Sequence, residues 1–100
     1  MSTSDINFLA TLESVIRDRL ENPDSSSYTA SLAASGIQRI AQKVGEEGVE
    51  LALASVAGNR DEVIDEAADL VYHLLVLLRT RGLCLGDVAA RLEQRHSKRP

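Results

Sequence analysis

Residues 70–78 read Leu-Val-Tyr-His-Leu-Leu-Val-Leu-Leu and occupy the second half of a helical pattern from about Asp61 to Arg81. Apolar side chains at Leu70, Val71, Leu74, Leu75, Val76, Leu77 and Leu78 leave this stretch almost no wet face. A helix that is apolar all round is buried all round. A chain of 100 residues can cover such a helix only in part. The stretch therefore predicts helix-on-helix packing with a subunit interface. The simplest form is a homodimer whose two hairpins make a four-helix core. The run falls far short of the roughly 20 residues that span a bilayer, so no membrane association is expected.

The remaining segments carry helical spacing too. Ile6, Leu9, Leu12, Val15, Ile16 and Leu20 predict a helix from Asp5 to about Glu21. Asn22-Pro23-Asp24 stops it, because proline disfavours helix in the residue before it. Ser25, Ser26 and Ser27 continue that loop. A short helix is expected from Tyr28 to Ser35, ending at Gly36, and a longer one from about Ile37 to Ala57. The longer helix has Ile37, Ile40, Ala41, Val44, Leu51 and Ser55 as its core-facing stripe, and Gly58-Asn59 stops it. Gly82 closes the helix that follows. A last helix from Leu85 or Asp87 to about Gln94 uses Val88, Ala89 and Leu92, and the polar tail His96 to Pro100 is expected to fray. No strand alternation is visible. The expected fold is all-α: a helical hairpin, Ile37–Ala57 against Asp61–Arg81, with flanking helices. It forms a single domain over 1–100, with 95–100 as a frayed tail.

Charge and composition narrow the function. A net charge of −4 disfavours binding to bare duplex DNA. Three aromatic residues and no Trp leave few platforms for stacking single-stranded bases, so nucleic acid is not an expected partner. Cys84 is the single cysteine, which excludes an internal disulfide and a multi-cysteine zinc site; it reads as a packing residue. Met1 to Asn7 is polar and no long apolar run follows, so no secretory signal is seen and a cytoplasmic location is expected.

Two acidic clusters stand out. One is Lys43-Val44-Gly45-Glu46-Glu47-Gly48-Val49-Glu50, the other Asp61 to Asp69. Glu47 and Glu50 are three apart, as are Glu66 and Asp69, and this spacing places each pair on one helix face. Glu62, Glu66, Asp69 and His73 form a stripe that runs on into Val76 and Leu77, toward the core. The pairs lie at similar distances from the turn at Gly58 to Arg60, so an antiparallel hairpin brings all four carboxylates together. Four such charges repel one another unless a cation sits among them. All-carboxylate ligation suits Mg²⁺ or Mn²⁺ rather than zinc, and Mg²⁺ shares its shell with substrate phosphates.

Each feature also has a plainer reading. Acidic residues on helices are usually solvated, and it is the pairing of two inward sets about one turn that favours a metal. Lys43 either neutralises a phosphate or pairs with Glu47, and Arg39 on the same stripe carries the same ambiguity. His73 on a buried helix reads as a satisfied core histidine, and Tyr72 as packing. Gly48 within a helix costs about 1 kcal/mol relative to Ala and points to a close helix approach. Arg91, Arg95, Lys98 and Arg99 read as a solvated basic end.

Ser27-Tyr28-Thr29-Ala30-Ser31-Leu32, Lys43-Val44-Gly45-Glu46-Glu47 and Glu66-Ala67-Ala68-Asp69-Leu70-Val71-Tyr72-His73-Leu74-Leu75 together resemble the phosphoribosyl-ATP pyrophosphohydrolase family. The resemblance extends from about Phe8 to Leu92. The paired acidic motif alone would imply only the wider all-α, MazG-like nucleotide pyrophosphohydrolases. The resemblance implies hydrolysis of phosphoribosyl-ATP to phosphoribosyl-AMP and pyrophosphate, the second step of histidine biosynthesis. It implies Glu47, Glu50, Glu66 and Asp69 as metal ligands and Glu46 as an additional acidic group that either supports those ligands or positions water. It also implies that Lys43, Tyr28 and Thr29 lie near the substrate phosphates. Family members often carry alanine at position 48, so glycine there is expected to loosen the helix without moving the ligands. The family's activity is often fused to a cyclohydrolase, for which this chain is too short, so a stand-alone form is expected. The alternatives are a house-cleaning nucleoside triphosphate pyrophosphohydrolase and a non-enzymatic helical interaction module.

Overall fold

The computed structural model describes residues 3–24 and 26–98. Ser25 of the expected loop and Arg99 and Pro100 of the tail lie outside the described residues. Every element among those described is a helix: α1 (Phe8–Glu21), α2 (Tyr28–Ala34), α3 (Ile37–Ala57), α4 (Arg60–Thr80) and α5 (Leu85–Lys98). Asp5 to Asn7 forms turns ahead of α1 rather than its first residues, with the Asp5 carboxylate accepting from Asn7 N at 2.8 Å. A local Asx bond of this kind competes with helix. Helix α5 runs four residues past the expected end at Gln94, to Lys98.

The α3–α4 hairpin is the centre of the molecule. Its turn is specified locally. Asn59 caps α4, its Oδ1 accepting from Glu62 N at 3.0 Å while its Nδ2 donates to Glu62 Oε1 at 3.2 Å. This satisfies a donor that a helix start otherwise leaves open. A Cβ on Gly58 would stand 2.5 Å from Glu62 Oε2 and 2.8 Å from the Ala54 carbonyl, so the turn has room only for glycine there. At the far end of α4, Gly82 takes φ +73°, and Leu83 N returns to the Leu78 carbonyl at 2.8 Å. Glycine adopts this left-handed conformation without a steric penalty.

Ile16, Leu32, Ile40, Leu75 and Val76 form the buried core, with Leu12, Leu20, Val71, Tyr72, Leu77 and Leu85 packed against it. Helices α1 and α2 thus lie across one side of the hairpin. The start of α5 is held by Leu85 N donating to Glu13 Oε2 at 2.7 Å, but α5 buries none of its own residues.

Burial corrects the stripe expected on α3. On α3 the buried residues are Ile40 and Glu47, with Val44 and Leu51 half-buried; Ile37, Ala41 and Ser55 are exposed. The inward face is rotated toward the carboxylate, and Ser55 bonds back to the Leu51 carbonyl at 2.8 Å instead of packing. On α4 only Leu75 and Val76 of the apolar run are buried within the chain, while Leu70, Val71, Leu74, Leu77 and Leu78 are half-buried. Phe8, Val49, Leu53, Val56 and Ile64 are exposed.

Candidate metal centre and active site

The hairpin brings the two acidic pairs together. One carboxylate oxygen from each of Glu47, Glu66 and Asp69 lies within 4.8 Å of the others. Glu50, exposed on α3, stands outside that set but is close enough to Glu47 and Glu66 to perturb both. Glu62, at the outer end of the predicted stripe, accepts with its carboxylate from Nδ2 of Asn59, the residue that caps α4.

Glu47 is the buried member, 5% exposed. Burial holds its carboxyl above the usual carboxylate range. Hydrogen bonding and repulsion from Glu50 and repulsion from Asp69 raise it further, and His73 works in the opposite direction. Glu66 is raised as well, first through hydrogen bonding with Glu50, then by burial and by the charges of Glu50, Asp69 and Glu47. Lys43 Nζ lies 3.8 Å from Glu47 Oε1, and His73 Nδ1 lies 3.6 Å from the same oxygen.

The residues fit a divalent cation. Glu66 Oε2 is buried and has no hydrogen-bond partner, which is costly for a carboxylate oxygen. It belongs to a cluster whose donors are all hard oxygens, the ligand type that Mg²⁺ and Mn²⁺ take.

The other sequence candidates are spread around this centre. Of the two readings of Lys43, the structure displays the pairing with Glu47. Glu46 is exposed and accepts from Gln42 Nε2 at 3.5 Å. Arg39 is exposed two turns before Glu47. Tyr28 is half-exposed, and its hydroxyl meets His73 Nε2 at 2.8 Å. Thr29 is 1% exposed and pairs its hydroxyl with that of Tyr72, so its side chain faces inward rather than into open solvent. Gly48 is not a site of close helix approach, since a Cβ there meets nothing within 4 Å.

Two roles were missed in the sequence. His73 and Tyr72 are hydrogen-bonded links from α4 to α2, not only core and packing residues. The available signal was the presence of two polar-aromatic dipeptides, Tyr28-Thr29 at the start of a short helical segment and Tyr72-His73 within an otherwise apolar run. Below Tyr72, an apolar groove of about 460 Å³ between α1 and α4 is lined by Leu9, Leu12, Ile64, Ala68 and Val71, among others.

A sequence profile of the phosphoribosyl-ATP pyrophosphohydrolase family matches residues 9–96. A histidine biosynthesis bifunctional protein HisIE of Vibrio cholerae is 56% identical over 93 residues, covering 93% of this chain and 44% of that protein. A HisIE of Xanthomonas axonopodis is 56% identical over 89 residues, covering 89% of this chain and 43% of that protein. The chain thus spans less than half the length of these bifunctional relatives. A phosphoribosyl-ATP pyrophosphatase of Pyrobaculum islandicum is 55% identical over 87 residues, and there the match covers 87% of this chain and 93% of the relative. An all-helical hairpin with its acidic pairs converged, matched along nearly its whole length, belongs to the phosphoribosyl-ATP pyrophosphohydrolase family.

Proposed function

We propose that this chain hydrolyses phosphoribosyl-ATP to phosphoribosyl-AMP and pyrophosphate, the second step of histidine biosynthesis, with Mg²⁺ or Mn²⁺ as cofactor. The observation that carries the reading is the convergence of Glu47, Glu66 and Asp69 within 4.8 Å, with one Glu66 oxygen buried and unpartnered. Family membership supplies the substrate. In the reaction, water oxygen bonds to the α-phosphorus, the bond between the α- and β-phosphates breaks, and pyrophosphate leaves with the bridging oxygen.

Glu47, Glu66 and Asp69 would hold the cation, with Glu50 completing the set from the rim. When bound, the cation neutralises phosphate charge and lowers the pKa of a coordinated water. Glu46 is the group we assign to positioning the attacking water from the solvent side. Lys43 and Arg39 supply positive charge on the same stripe of α3, where a polyphosphate would approach the carboxylates. Tyr28 lines the site through its exposed ring, while Thr29, paired with Tyr72, holds that segment in place rather than touching phosphate.

We further propose a homodimer, in which the half-buried face of α4 and the exposed Val49, Leu53 and Val56 of α3 are covered by a second copy. Among the described residues no helix is long and apolar enough to cross a membrane. The location we propose is the cytoplasm.

The test is pyrophosphate release from phosphoribosyl-ATP and from a panel of common and oxidised nucleoside triphosphates, each with and without Mg²⁺. Mg²⁺-dependent cleavage of phosphoribosyl-ATP is expected. Cleavage of the triphosphates with phosphoribosyl-ATP left intact would replace this reading with the house-cleaning one. Light scattering that gave a monomer at micromolar concentration would remove the dimer.

A further inference from the structure

Two adjacent side-chain hydrogen bonds join the first turn of α2 to the middle of α4. The Tyr28 hydroxyl meets His73 Nε2 at 2.8 Å, and the Thr29 hydroxyl meets that of Tyr72. Helix α2 has seven residues, and these bonds act beside the Ser27 cap on Ala30 N at its start.

The direction of the Tyr28 bond can be derived. His73 Nδ1 lies 2.8 Å from the Asp69 carbonyl oxygen, which can only accept, so Nδ1 carries the proton. When the imidazole is neutral, a proton on Nδ1 leaves Nε2 as an acceptor, and the Tyr28 O–H donates to it. His73 is 6% exposed, meets Tyr72 in a T-shaped contact with ring centroids 5.5 Å apart, and is hydrogen-bonded at both ring nitrogens. The Tyr28 ring is 52% exposed yet its hydroxyl end is tied down. His73 Nδ1 is at the same time 3.6 Å from Glu47 Oε1, so one imidazole separates the Tyr28 tether from the carboxylate centre.

We propose that His73 is a positioning residue. By accepting the Tyr28 hydroxyl hydrogen bond it holds the exposed Tyr28 ring beside the Glu47–Glu66–Asp69 cluster as an aromatic wall of the nucleotide site. The inference rests on the proposed hydrolysis for its kinetic readout. The plain competitor is a tether that serves folding alone.

A double-mutant cycle with Tyr28→Phe and His73→Asn separates the two. Asparagine keeps a donor near the Nδ1 position and offers nothing at Nε2. Each single variant should raise KM by roughly 3- to 10-fold, the loss of one neutral hydrogen bond, and affect kcat less. The double variant should be no worse than either single one. Because Glu47 is untouched, the rise in melting temperature caused by Mg²⁺ should persist in all three. In the metal-free protein, ¹⁵N spectra should show His73 protonated at Nδ1 with Nε2 an acceptor whose resonance moves in Tyr28→Phe. The chain's other histidine, His96, is identified with His96→Gln. A proton on Nε2 overturns the proposal. So do additive effects of the two changes, or coupling in melting temperature with KM unchanged. Should His73→Asn fail to fold, Tyr28→Phe and the spectra decide. If phosphoribosyl-ATP is not cleaved, the cycle is run on the nucleotide of the panel that is, which keeps failure of the functional reading distinct from failure of the tether.

Discussion

Lys43 Nζ lies 3.8 Å from Glu47 Oε1, one helical turn away, and supplies a positive charge beside the buried carboxylate of the acidic cluster. Lys43→Met keeps the apolar stem and removes that charge. Metal-free stability should fall by about 1 kcal/mol, between the values for exposed and buried pairs. Saturating Mg²⁺ should shrink the loss, since the cation takes over the compensation of Glu47, and the variant should bind Mg²⁺ more tightly. Chemical denaturation with and without Mg²⁺ reads both. An equal loss in the two conditions would assign Lys43 to packing alone.

The carboxyls of Glu47 and Glu66 are both held above their ordinary value of 4.5. A raised folded-state pKa means the folded protein binds the proton more tightly than the unfolded chain. The associated stability is present below the ordinary value and is lost as pH rises through the raised one. In metal-free protein, Glu47→Gln/Glu66→Gln should therefore gain on wild type as pH rises through and beyond the ordinary carboxylate range. Denaturation midpoints across that range check it. A gap that stays flat, or that narrows with pH, would contradict the assignment of strain to these two groups.

Gly48 lies inside α3 with open space where a Cβ would point. Gly48→Ala should raise stability by about 0.5 to 1 kcal/mol through helix propensity and reduced freedom of the unfolded chain. Thermal melting measures it. A loss of stability instead would show that a second copy fills that space.

The fold was legible in the sequence because its signals are local. Helix spacing, Pro23, Gly58 and Gly82 set the element order, with errors confined to ends such as Asp5, where a side chain bonds its own backbone. The carboxylate cluster was legible for the same reason: two three-residue spacings and one short turn fix where Glu47, Glu66 and Asp69 meet. The inward rotation of α3 toward Glu47 was not, because hydrophobic periodicity gives no weight to a buried charge. Nor were the links from Tyr28 to His73 and from Thr29 to Tyr72, which depend on how α2 docks across some forty residues of chain.

In the proposed function the converged carboxylates bind a divalent cation and serve catalysis rather than folding. Glu50→Gln and Asp69→Asn each remove one charge at constant shape. Metal-free stability should stay the same or rise slightly, because a repulsion is relieved. The Mg²⁺-induced increase in melting temperature should shrink, since it arises from preferential binding to the folded state. Turnover should drop by orders of magnitude, as the charge on the transferred phosphoryl group loses its stabilisation. The measurement is thermal melting with and without Mg²⁺, paired with single-turnover hydrolysis, on wild type and both variants. Loss of the Mg²⁺ shift together with loss of turnover is the result this structure predicts; full activity in Glu50→Gln and Asp69→Asn, with no Mg²⁺ shift in any of the three proteins, would contradict it.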